Sequence, residues 1–127
     1  PNLTQVGWVK RTRILALIDS VDALVLPSRV ESFGTIALEA MARARAVLVS
    51  PACGILSWEL LSRGLFQIRD DEHLSDALNR LRDLDPALRE RKARIARESA
   101  LEINRRNLDH WLAVLSGDHG RNVDAGR

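Results

Sequence analysis

Four short apolar runs punctuate the chain, at 4–9, 22–27, 46–50 and 65–69. The two central ones contain Ala23-Leu24-Val25-Leu26 and Ala46-Val47-Leu48-Val49, continuous rather than alternating. Strands buried on both faces read this way, as in parallel sheets covered by helices. Between the runs, apolar positions recur at helical spacing. The segment 12–20 carries Ile14, Leu15, Leu17 and Ile18 on one side, and 35–43 is almost wholly apolar. A shorter helix is predicted over 55–62, with Gly64 in the place of a C-terminal glycine. Over 71–84, Leu74, Ala77, Leu78 and Leu81 form one stripe. Asp85-Pro86 ends that helix and opens another, to about 102, with Pro86 in its first turn. A last helix is expected over 105–115, with Leu108, Trp111, Leu112 and Leu115 on one side.

Alternation of strand and helix means an α/β fold with right-handed crossovers. The expectation is a Rossmann-like, three-layer domain over 1–116, with a mostly parallel sheet of about four strands and helices at its C-terminal end. The segment 117–127 is Gly, Asp, Asn and Arg in the main and reads as a frayed tail. No internal repeat is visible.

Composition narrows the classes. Of 127 residues, 46% are hydrophobic, enough for a core without staples, and only 4% are aromatic, so that core is aliphatic. Nineteen basic against seventeen acidic residues leave a net charge of +2, too balanced for a nucleic-acid binder. The late basic residues, Arg89 to Arg94 and Arg105-Arg106, are interleaved with Glu90, Glu98 and Glu102, as on a solvated helix face. Contact of that face with anionic lipid is a weaker reading. A single cysteine, Cys53, excludes a disulfide within the chain and suits a reducing, cytoplasmic compartment. No stretch is long and apolar enough to span a bilayer, and no signal peptide is evident. The sequence opens on Pro1 rather than Met, which fits a processed chain or a piece of a longer one. His73, His110 and His119 lack metal-ligand spacing.

Ligands of open parallel sheets bind beyond the carboxyl ends of the strands. The loop after the second run reads Pro27-Ser28-Arg29-Val30-Glu31-Ser32-Phe33-Gly34-Thr35. Pro27 stops the strand, Gly34 lets backbone approach a ligand, and Ser32 or Thr35 can cap the helix that follows. The start of that helix offers unpaired N–H groups and the positive end of a dipole to a phosphate, without a metal. Glu31 and Glu39 frame it. Ionised glutamate only accepts hydrogen bonds, so hydroxyl-rich ligands such as a sugar or a ribose suit it. Spacing and chemistry alone favour the plainer reading, with Glu39 on the exposed side of an amphipathic helix and Glu31 in a surface loop.

The run from Glu31 to Ala42, Glu-Ser-Phe-Gly-Thr-Ile-Ala-Leu-Glu-Ala-Met-Ala, closely resembles the signature of family-4 (group 1) retaining glycosyltransferases. That signature has two glutamates separated by seven residues around a Phe-Gly step. The preceding Leu24 to Ser28, Gly7-Trp8-Val9, the strand 46–50 and the final 108–115 match as well, so the resemblance covers nearly the whole chain to Leu115. It implies the later part of the donor-binding domain of a GT-B enzyme, binding a nucleotide-diphospho-sugar and using no metal or other cofactor. Glu31 would then act at the catalytic site by positioning and electrostatic support. Backbone of Ser32, Phe33, Gly34 and Thr35 would hold sugar or diphosphate oxygens. Glu39 would accept from the ribose, with Gly7, Trp8 and Val9 near the base.

Parts of the family pattern are absent from this sequence. The basic residues that neutralise the diphosphate precede residue 1 in the family, as does the acceptor domain, so the chain is expected to be inactive alone. Where the family has Gly-x-Pro, this chain has Ala44-Arg45-Ala46; a lost glycine at a left-handed position costs about 1 kcal/mol. The loop 51–59 keeps Gly54 but not a Gly-Gly pair, and its Glu59 is out of step. These departures leave a second reading, a degenerate non-catalytic α/β scaffold. A flavodoxin-like domain is a third, disfavoured because no acidic cluster stands at the first strand end. Self-association through the uncovered side of the last helix is also expected.

Overall fold

The computed structural model describes residues 3–117; the expected tail, beyond Gly117, lies outside the described residues. In chain order come α1 (Arg11–Asp19), β1 (Ala23–Leu26), α2 (Thr35–Ala42), β2 (Ala46–Val49), a 3-10 turn (Gly54–Ser57), α3 (Glu59–Ser62), β3 (Phe66–Gln67), α4 (Leu74–Arg82) and α5 (Pro86–Leu115). The three strands form a parallel sheet in the order β1-β2-β3. Ala23 stands opposite Ala46, and Leu48 opposite Phe66.

The sheet separates two apolar layers, as the period of two along a strand requires. Val47 and Val49 face Ile18, Ala37, Ala40, Met41, Ile55, Leu61, Ala96 and Ala100, contributed by the helices other than α4 and by the 3-10 turn. Ala46 and Leu48 face the other way, onto Phe66, Ile68, Ala77 and Leu81, the last two on α4. All four residues of β2 are buried, which is why that run is continuous rather than alternating. The α/β, three-layer expectation therefore holds, with three strands rather than four.

The run at 4–9 is not a strand. Gly7 has a φ of 68°, which breaks the pleat, no described residue pairs with the segment, and Trp8 is 92% exposed. The expected helix at 55–62 is split at Trp58, whose extended backbone (φ −92°, ψ 98°) separates the 3-10 turn from α3. α4 begins at Leu74 rather than 71, because Glu72 accepts from the Arg69 amide at 3.0 Å and closes a turn ahead of it. The two helices expected after Pro86 are one. Arg105 and Arg106 both reach back to Glu102, and Arg105 reaches forward to Asp109, so the supposed junction is laced by ion pairs at helical spacing. At its start, Asp85 caps α5 by accepting from the Ala87 amide at 2.9 Å, with Pro86 in the first turn as expected.

Gly64 does not cap α3 in a left-handed conformation. A Cβ there would lie 2.3 Å from the Ala96 Cα, so the glycine permits close packing of the chain after α3 against α5.

Candidate functional site

The loops that leave β1 and β2 at their carboxyl ends are fastened to one another. Glu31 and Cys53 form a parallel bridge: the Glu31 amide donates to Ala52 at 3.3 Å, and the Gly54 amide to the Glu31 carbonyl at 2.9 Å. The Ile55 amide donates to the Phe33 carbonyl at 3.0 Å, and the Cys53 thiol points to the same carbonyl at 3.4 Å. Ser50 Oγ donates to the Ser28 carbonyl at 2.5 Å. Gly54 makes this approach possible, since a Cβ there would sit 1.9 Å from the Ser32 carbonyl oxygen. Phe33 meets Trp58 edge to face, with centroids 5.8 Å apart.

Gly34 is the N-cap of α2, with φ 92° and ψ 59°. No side chain caps the helix, so Ser32 and Thr35 do not take the capping role expected of them. The Gly34 carbonyl accepts from Ala37 at 2.8 Å and starts the helix. The amides of Gly34, Thr35 and Ile36 have no acceptor among the described residues. A residue with a side chain at 34 would meet Cys53 Sγ at 2.9 Å and Leu26 at 3.0 Å as well as the left-handed backbone. The glycine therefore serves to aim this helix start out of the sheet.

Glu31 is half-buried, and its Oε1 accepts from the Phe33 amide at 3.4 Å. Glu39 is a turn further along α2, its side chain 19% exposed, and Oε1 accepts from Arg11 at 2.7 Å. Arg11 was not foreseen from the sequence; it opens α1, and only the packing of α1 beside α2 brings it to Glu39. A second pair, Arg43 with Asp19, fastens the far end of α1 to the end of α2, and the guanidinium holds the Asp19 carboxyl below its usual range. Gly7 and Val9 border an apolar cavity of about 320 Å³ together with Leu24, Val25 and Ile36, the last in the first turn of α2. Trp8 turns away from it into solvent, beside Lys10 and Arg13. Gly7 and Val9 are thus brought to the α2 start, and Trp8 is not.

Burial, reinforced by the nearby charge of Glu31, pushes the Cys53 thiol above its ordinary range and so disfavours the thiolate. Among the described residues no group of His, Cys, Asp and Glu could hold a metal ion. None of the described helices is long and apolar enough to cross a membrane. Glu59 pairs with Arg63 on the surface and does not enter the site.

This helix start, between two glutamates at the carboxyl edge of a parallel sheet, coincides with a family match. The model of "Glycosyl transferases group 1" fits residues 1–99. The chain belongs to the group 1 glycosyltransferases. Two glycogen synthases of Mycobacterium tuberculosis, from strains CDC 1551 / Oshkosh and ATCC 25618 / H37Rv, are each 38% identical over 97 residues. Those residues are 73% of this chain and 23% of each relative, so this group 1 chain matches about a quarter of the relatives' length.

Proposed function

We propose that this chain is the donor-holding part of a retaining glycosyltransferase, binding a nucleotide-diphospho-sugar for transfer to a glycan or lipid acceptor. The observation that carries the reading is the start of α2, where three backbone amides have no acceptor among the described residues. A diphosphate there gains hydrogen bonds and the helix dipole with no metal. Glu31, held by the Phe33 amide, faces the sugar and supports positive charge developing at its anomeric carbon. Glu39 keeps Oε2 free of protein partners among the described residues and offers it to the ribose, while Arg11 holds Oε1. The apolar cavity beside Gly7 and Val9 has room for the flat face of a base. The acceptor, and the cations that neutralise the rest of the diphosphate, are met by other parts of the enzyme, so the chain alone does not turn over. Glycogen synthase activity in the relatives makes an α-glucan one acceptor to test.

Calorimetric titration with UDP, GDP, ADP and their sugars tests this. Binding of one nucleotide series, weakened about tenfold or more in Glu39→Ala, is expected from the loss of a charge-assisted hydrogen bond. No binding to any of them would instead favour the scaffold reading, which the altered loop 51–59 supports.

A further inference from the structure

A second concave site lies at the opposite end of the sheet. Asp22 precedes β1 and Arg45 precedes β2, so both stand at the amino ends of the strands, about 13 Å from the carboxyl ends of four-residue strands. There they border a cleft of about 440 Å³ together with Arg89, Glu90, Arg94 and Arg97 of α5. Four arginines and two acidic residues thus line it. Neither Asp22 nor Glu90 forms an ion pair with any of the four, and Arg45, Arg89, Arg94 and Arg97 have no carboxylate partner among the described residues.

Arg45 is the anchor. Its Nη1 donates to the Val21 carbonyl at 3.3 Å, which fixes the guanidinium plane, while Nε is buried and has no acceptor. Because Nε is closed to solvent, the Nη groups are the donors that Arg45 can offer a ligand. Arg89 is likewise oriented, by the Leu81 carbonyl at 3.4 Å. Interleaved charge along α5 reads in the sequence as a solvated face, but the fold gathers three of its arginines around a fourth from another element.

We propose that this cleft binds a small anion carrying more than one phosphate charge. Planar guanidinium forks match phosphate oxygens in pairs, and the volume is that of a small-molecule site. A small anion fits a cleft of about 440 Å³; a lipid headgroup offers the same phosphate chemistry, and competition between pyrophosphate and anionic vesicles separates the two. The site is separate from the α2 start and does not depend on donor binding there.

Pyrophosphate titrated into the full chain, followed by calorimetry and by amide chemical shifts, tests the assignment. Arg94→Gln and Arg97→Gln, both exposed and so harmless to folding, should each weaken binding about tenfold. Glu90→Gln should tighten it, and Arg63→Gln, which lies outside both sites, should leave it unchanged. Shifts are expected at Arg45 and along 89–97. No binding at millimolar pyrophosphate, equal affinity in the arginine variants, or shifts confined to 31–36 would overturn the proposal. So would retention on anionic phospholipid vesicles that pyrophosphate does not compete away.

Discussion

Ala44 has a φ of 55°, the left-handed region that an L side chain enters only at a cost. It stands where the sequence resemblance sets a glycine, and its left-handed backbone is one that a glycine would adopt without strain. Ala44→Gly should therefore stabilise the chain by about 1 kcal/mol, read as a higher urea midpoint with an unchanged slope. The reverse holds at Gly54, where any Cβ meets the Ser32 carbonyl. Gly54→Ala should destabilise by about 1–3 kcal/mol, through overpacking against backbone that cannot rotate away; equal denaturation midpoints would refute this. Glu72 illustrates a third kind of residue effect. The Arg80 guanidinium, then the Arg69 amide, hold its carboxyl down to about 2 from an ordinary 4.5. A folded-state value below the unfolded one stabilises above about 4.5 and is lost as pH falls toward 2. Glu72→Gln should flatten stability against pH across that window, as followed by thermal melts at successive pH values.

At the scale of elements, hydrophobic periodicity located β1, β2, α1 and α2, because each turns apolar side chains onto the core, while Asp85-Pro86 located the start of α5. It failed at 4–9, where apolar side chains stay in solvent and Gly7 turns the chain. It also failed near 103–105, where charge rather than apolar spacing carries α5 through. The Gly64–Ala96 contact is of a kind that no local pattern announces, because it joins segments far apart in sequence. Gly64→Ala should force α5 from the chain after α3 and cost about 1–3 kcal/mol. A companion Ala96→Gly should recover part of that loss, and absence of recovery would show that the two do not press on each other.

For the molecule as a whole, the Glu31–Glu39 frame was legible because it is contiguous in sequence. The Arg11 contact to Glu39 and the arginine cleft were not, since both need segments brought together by packing. The last turns of α5 leave Trp111 61% and Leu115 80% exposed. Such a flank favours burial against another surface. Concentration-dependent association in sedimentation velocity is expected, with Trp111→Gln plus Leu115→Gln returning the chain to a monomer. A monomer at every concentration would count against it.

The pairing of the loops after β1 and β2 has a consequence for anyone who would exchange these loops between relatives. Each loop supplies backbone acceptors that the other consumes, from Ser28 with Ser50 to Phe33 with Ile55. Neither is an independent module. A chimaera that imports one loop inherits a mismatched half and should misfold locally at Gly54, whereas 27–34 and 50–58 transplanted as a single cassette carry their own complementarity with them.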